Sequence, residues 1–196
     1  MDYLVKTEKP EKIRSDCLII PVFEGKKLSA FGKQIDQQAQ GALKALLKSG
    51  DMTGKAKHTV TLYQPAELQC ARILLLGCGK ADEVNATTFQ ALINSAWSVI
   101  EKMPVASTHW DILSIAEALS DEQSIRFAVA AIEQAQYEYL ATKSDAKPKK
   151  IACKKITFLS ENTKQAQQIK PIIVQSQAIA AGVSLAKTLS DLPGNI

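Results

Sequence analysis

Two runs constrain this chain more than any other stretch: CLIIPVF at residues 17–23 and ILLLGCG at residues 73–79. Neither alternates apolar with polar residues, so neither reads as a strand with one wet face. A strand that is apolar on both sides must be covered on both sides, which makes these interior strands of a sheet sandwiched between helices. The rest of the chain supplies the cover. Short β-type runs alternate with amphipathic helical patterns in the order β-β-α-β-β-α-β-α-β-α. That order argues for a three-layer αβα domain, an α/β fold with a mixed sheet.

The individual elements follow from pattern and punctuation. DYLVKT (2–7) reads as a short β-type run and HTVTLYQ (58–64) as a strand rich in Thr, Val and Tyr, as a half-buried strand should be. QPAELQC (64–70) reads as a hairpin-type connection into ARILLLGCG. Ser29 opens a helix expected to run unbroken through Phe31, Ile35, Ala39, Ala42, Leu43, Leu46 and Leu47, a spacing of about 3.6 residues. Asn85 is expected to cap a helix that faces inward with Phe89, Leu92, Ile93, Ala96, Val99 and Ile100. HWDILSIA (109–116) reads as a strand. Ser120 and Gln123 have the spacing of a capping box, and the helix they open is expected to reach Tyr139 and Leu140. CKKITFLS (153–160) is the last strand. From Asn162 to Leu189 the pattern is helical, with Pro171 placed to begin or kink a helix.

With 46% apolar and 22% charged residues the chain can bury a sizeable core. The apolar strand runs are too short to cross a bilayer, and MDYLVKTEKPEK has no apolar signal region, so a cytoplasmic protein without a membrane partner is expected. Four cysteines (Cys17, Cys70, Cys78, Cys153) show no Cys-x-x-Cys spacing, and the two histidines, His58 and His109, lie far apart. Buried, reduced thiols are the expectation, rather than a metal or redox site.

The net charge of +4 alone does not imply nucleic acid, but its distribution is uneven. KSDAKPKKIACKK (143–155) carries Lys143, Lys147, Lys149, Lys150, Lys154 and Lys155 against one Asp. The run reads as a solvated loop, or as a place to hold phosphates. It has no arginine and no interleaved aromatic, so base reading is unsupported.

Two glycine-rich stretches resemble phosphate loops. GDMTGKA (50–56) has three residues between its glycines where four are needed, and Ala56 where a hydroxyl should hold magnesium. LLLGCGKAD (74–82) does sit between a strand and a helix, where backbone donors could meet a phosphate, but lacks the third glycine of a dinucleotide fingerprint. Backbone geometry is the simpler reason for its glycines. The acidic pairs Asp82–Glu83 and Asp121–Glu122 fall where helices are expected to begin, which suits the helix dipole. His109, beside Trp110, reads as a strand-edge histidine. No residue set here constitutes a catalytic site by spacing alone.

Four segments in order, GDMTGKAKHTVTLY (50–63), RILLLGCGKADE (72–83), FAVAAIEQAQYEYLATKSDAKP (127–148) and GVSLAKTLSDLPGN (182–195), resemble the N-terminal domain of the cytosolic leucyl aminopeptidases, the M17 metallopeptidases. The similarity runs from the first strand to Asn195. The tail resembles the family's junction into its catalytic domain, with Lys187 where Arg is commoner and Asp191 where Asn is commoner. The resemblance implies a macro-domain-like unit over residues 1–160, and a linking helix and junction over residues 161–196 that lead to an absent catalytic domain. It also implies two divalent metal ions, manganese or zinc, in that absent domain, where a metal-activated water releases N-terminal residues from peptides. No catalytic or metal residue carries over to this chain, which would be inactive alone. Its partners would be its own catalytic domain, peptide substrates and a homo-oligomer, a hexamer, whose shape limits substrate access. Some members bind DNA through this domain, which would give the lysine run a purpose. The alternative is a stand-alone macro-like module that holds DNA or an ADP-ribose-type ligand.

Overall fold

A computed structural model describes residues 1–142 and 147–193 of the chain. Seven strands among these residues form one sheet: β1 (Asp2–Lys6), β2 (Cys17–Phe23), β3 (Lys27–Leu28), β4 (Thr59–Tyr63), β5 (Arg72–Gly79), β6 (Ser107–Trp110) and β7 (Lys155–Leu159). Their order is β1-β7-β6-β2-β5-β4, with β3 folded back onto β2. β1, β7, β6, β2 and β5 run parallel, while β4 is antiparallel to β5 and β3 to β2. The two apolar runs are neighbours at the centre, with Leu18 opposite Ile73 and Ile20 opposite Leu75.

Side chains alternate across the sheet, so each central strand feeds two cores. Cys17, Ile19, Leu74, Leu76 and Cys78 join a cluster with helices α3 (Ala86–Ile100), α4 (Asp121–Gln136) and α5 (Thr163–Asp191). Leu18, Ile20, Val22, Ile73 and Leu75 join a second cluster with α1 (Ala30–Gln38) and α2 (Ala42–Ser49). The three-layer α/β architecture with a mixed sheet is therefore present. Both predicted caps form: Asn85 accepts from the Thr88 amide at 3.0 Å, and Ser120 with Gln123 makes the full capping box.

Four boundaries differ from the sequence reading. The helix opened by Ser29 is two helices, because Gln40 (φ 54°) and Gly41 (φ 83°) are both left-handed. The buried carboxylate of Asp36 explains the break. Its Oδ1 accepts the Lys44 amide at 2.9 Å, which caps α2 from α1, and its Oδ2 lies 3.4 Å from Lys44 Nζ. The strand after residue 107 stops at Trp110, because Asp111 turns inward and accepts from the Ser29 and Ser114 hydroxyls, each at 2.7 Å. α4 ends at Gln136, short of Tyr139, where Tyr137 turns extended and its hydroxyl donates to Asp191 at 2.8 Å. Pro171 does not begin a helix, since α5 starts at Thr163 and continues through it. The carbonyl it leaves without a helical donor belongs to Gln167, an exposed residue that water can reach.

α5 also changes the membrane reading. An 18-residue window of it has a mean hydropathy of 1.3, so by length and composition it could cross a bilayer. One stripe of α5, with Ala166, Ile169 and Ile173, packs into the domain on the α3–α4 side of the sheet, while only 17% of the apolar window is buried.

Replacing Asp36 with Ala should lower unfolding free energy by about 1–2 kcal/mol through loss of the α2 cap. Urea denaturation followed by circular dichroism would show it as a lower midpoint with an unchanged slope.

Candidate functional site

In open α/β sheets, ligands bind beyond the carboxyl ends of the strands, so the ends of β2 and β5 come first. The glycines of LLLGCGKAD lie there, but their space is already taken. The backbone of residues 54–58 lies across the end of β5 as a strap. Gly77 N donates to His58 O at 2.7 Å, Gly79 N to Gly54 O at 2.8 Å, and Lys57 N to Gly77 O at 2.8 Å. A Cβ on Gly77 would collide with the Lys55 carbonyl, and one on Gly54 with the Phe23 carbonyl. The glycines thus permit close backbone packing, and the amides of Gly77 and Gly79 are already bonded internally. The strap was missed in the sequence, where GDMTGK reads only as a failed phosphate loop.

Beside the strap is a cavity of about 560 Å³ lined by Phe23, Glu24, Lys27, Lys80, Asp82 and Glu117. Lys80 is held by Glu83 at 2.7 Å, and that hydrogen bond raises its pKa. Three carboxylates on the wall make the cavity a poor fit for a diphosphate. Asp82 and Glu83 sit in a separate 3-10 turn ahead of α3, whereas Asp121 and Glu122 do occupy the first turn of α4.

The lysine run lies at the opposite end of the sheet. Lys155 is the first residue of β7, paired with Asp2 and Ser107 at the amino ends of their strands. Lys154 donates its amide to Ala106 O at 2.9 Å. Lys147, Lys149 and Lys150 are exposed and outside regular structure, and the Lys149 amide donates to Glu138 Oε2 at 2.9 Å. Lys143 lies outside the described residues. The lysines and the glycine turn therefore do not combine into one phosphate site.

His109 is not at a strand edge. It is buried on β6, between β2 and β7, with Nε2 3.1 Å from Glu8 Oε2. That approach is close but is not aligned as a hydrogen bond. Glu8 Oε1 meets Lys6 Nζ at 3.0 Å, and Thr157, the register partner of His109 on β7, is also buried. Burial lowers the His109 pKa, Glu8 opposes the shift, and Lys6 and Lys155 reinforce it. Buried inside the sheet, out of reach of a substrate, His109 is poorly placed as a general base.

The four cysteines are free and buried. Burial pushes the thiols of Cys17 and Cys78 up to about 12 and that of Cys70 to about 11, and raises Cys153 as well. No three His, Cys, Asp or Glu side chains converge as metal ligands among the described residues. A two-metal centre does not fit the described residues.

What remains is apolar. α4 and α5 enclose a groove of about 370 Å³ whose lining includes Phe127, Ala130, Ile179, Ala180, Val183 and Lys187. Outside the groove, Val174, Leu185 and Leu189 on α5 are 66%, 61% and 63% exposed. This helix surface has more apolar area than a solvated helix needs.

Comparison with known proteins gives a consistent result. Residues 19–146 match the model for the cytosol aminopeptidase family, N-terminal domain. A probable cytosol aminopeptidase from Nitrosococcus oceani is 35% identical over 201 residues, a match that takes in 100% of this chain and 39% of that protein. A mutant tomato leucine aminopeptidase superposes with a TM-score of 0.75 at 21% identity, over 100% of this chain and 39% of that one. A Trypanosoma brucei macrodomain in complex with ADP superposes at 0.66 with 10% identity, over 88% of this chain and 69% of that one. At those identities the two structures speak for the fold alone.

Because the folded His109 pKa lies below its unfolded value of about 6.5, its contribution to stability is present above that value and is lost as pH falls through it. Urea midpoints between pH 7.5 and 5 should therefore drop more steeply for the native chain than for His109→Gln.

Proposed function

This chain belongs to the cytosol aminopeptidase family, where it matches the N-terminal domain, and we propose that it is the non-catalytic, assembly-shaping part of a longer leucyl aminopeptidase. The carrying observation is α5, a 29-residue helix whose most apolar window is only 17% buried against its own domain. A helix of this kind needs a partner surface. The chain spans 39% of the length of the relative it matches at 35% identity, so most of that protein lies outside the match. On this reading residues 1–160 form the macro-domain-like unit, and residues 161–196 form the arm that joins the catalytic domain.

The parent would be a cytoplasmic hydrolase that removes N-terminal residues from peptides and assembles as a homo-oligomer, with a hexamer the family expectation. Two divalent ions, manganese or zinc, would supply a polarised carbonyl and an activated water in the catalytic domain. This chain's contribution is to position that domain and restrict access to it. The ADP-ribose alternative loses support from the internally bonded glycine turn.

The test compares the natural gene product with the 196-residue chain. The natural product should have an intact mass well above that of these residues and should hydrolyse leucyl amide with added manganese, while the short chain should not. A natural product of 196 residues, or hydrolysis by the short chain itself, would overturn the reading.

A second reading concerns phosphate. Lys147, Lys149, Lys150 and Lys154 are exposed, and none joins an ion pair among the described residues. If these lysines bind DNA, replacing all four with Gln should weaken duplex binding and flatten its salt dependence, by about 0.9 in logarithmic slope for each phosphate that is no longer neutralised. Unchanged affinity and slope would remove DNA as a partner of this run.

A further inference from the structure

The two edges of the sheet are finished differently. At one edge, the Asp2 amide donates to Lys154 O and Lys6 O accepts from the Ser160 amide. The even-numbered residues of β1 therefore face β7, and the backbone of Tyr3 and Val5 faces outward. Those two residues are each only 6% exposed, and the Gln177 side chain of α5 donates to Met1 O at 3.2 Å, so α5 shields this edge.

β4 ends the sheet on the other side without such cover. Gly77 N donates to His58 O at 2.7 Å, and Gln64 N donates to Ala71 O at 2.9 Å. Alternate residues of an antiparallel strand face the same neighbour, so Val60 and Leu62 also turn their backbone groups to β5. Thr59, Thr61 and Tyr63 turn theirs outward. Among the described residues, the N–H and C=O groups of these three make no other backbone hydrogen bond. Tyr63 is 62% exposed, and Thr59 and Thr61 are half-buried.

Exposed edges are ordinarily blunted by a lysine, a proline or a bulge, because a row of open donors and acceptors templates another strand. TVTLY at residues 59–63 has none of these, and its β-branched and aromatic residues suit pairing with an extended neighbour. Charge sits at the two ends instead. Lys55 and Lys57 are exposed ahead of β4, and Arg72 stands opposite Tyr63 with its guanidinium carbon 5.7 Å from the ring centroid. None of the three joins an ion pair among the described residues.

We propose that this edge is a docking site for an extended segment of another protein, which adds to the sheet as a further strand and carries acidic residues at both ends of an uncharged, β-prone run. Main-chain hydrogen bonds to Thr59, Thr61 and Tyr63 supply the pairing, and Lys55, Lys57 and Arg72 the choice of partner. The acidic ends lie about 20 Å apart, the length of six extended residues. A second copy of this chain would bring its own Lys55 and Lys57 and, between Met52 and Cys70, a single carboxylate, Glu67, so charge favours a different and more acidic partner. Such docking is independent of the aminopeptidase reading.

Fluorescence anisotropy on the natural gene product tests this with a labelled peptide of alternating Thr and Val between two pairs of Glu. The peptide should bind, more weakly as salt rises, and at least tenfold more tightly than the same peptide flanked by Lys. Thr61→Pro should weaken binding at least tenfold while circular dichroism stays native, because the amide it removes faces away from β5. N-methylation of the peptide's core amides should have the same effect with the protein unaltered. Lys55→Gln combined with Lys57→Gln should lower the affinity severalfold and flatten its salt dependence. Absence of binding to the acidic peptide would overturn the proposal, as would equal binding of the Lys-flanked or N-methylated peptide, or full binding by a folded Thr61→Pro. Binding by the 196-residue chain but not by a longer natural product would show the edge already covered there, and would overturn it too. A dimer of the natural product that Thr61→Pro abolishes would overturn it in favour of a second copy.

Discussion

The pairing of β2 with β5 is the constraint on which the rest of the molecule depends. Both strands are buried on both faces, and their parallel register from Leu18–Ile73 to Val22–Gly77 sends alternate side chains into separate cores. Neither core can form without the other, because each strand supplies half its residues to each side. The same pairing brings Phe23 and Gly79 together at the carboxyl ends of the strands, which is where an α/β sheet offers a ligand crevice.

That crevice shows how a fold can keep its shape while its chemistry changes. The likeness to a macrodomain that was solved with ADP concerns the chain path, at 10% identity. In this chain the strap of residues 54–58 satisfies the glycine amides with its own carbonyls, and three carboxylates line the neighbouring cavity. A buried backbone donor needs one partner, and internal bonding takes the Gly77 and Gly79 amides away from a phosphate. The polar interior elsewhere serves the fold in the same way. Asp111 ties the end of β6 to the cap of α1 through Ser29, and Asp36 caps α2. Asp16 Oδ2 accepts from the Ala106 and Ser107 amides at the start of β6.

α5 stands apart from this pattern. One stripe is committed to the domain, and Tyr137, Asp191 and Lys187 fasten its far end, with the Lys187 ammonium 5.3 Å from the Tyr137 ring centroid. The remaining faces are apolar and open. α4, by contrast, carries an ion pair between Glu122 and Arg126. Charge is confined to the two ends of α5, at Lys164, Lys170, Lys187 and Asp191. The middle of α5 is the part of the helix that its own domain leaves uncovered.

Much of this architecture was legible from residues alone. The doubly apolar runs marked the central strands, and the spacing of Phe89, Leu92, Ile93, Ala96 and Ile100 marked the buried face of α3. Asn85, Ser120 and Gln123 marked helix starts, because caps are local hydrogen bonds between residues three apart. Family resemblance also lay in the sequence, in four ordered segments. The tertiary structure decided whatever depends on distant partners. It broke the first helix at Gly41 through Asp36 and Lys44, and it buried His109 beside Glu8, whose position comes from the loop after β1. It also laid residues 54–58 over Gly77, which turned an apparent phosphate turn into a packing contact. Periodicity and capping act over one turn of chain and can be read along it. The occupancy of a site is settled by segments that meet only after folding, so spacing could propose the glycine turn but could not tell that its donors were already used.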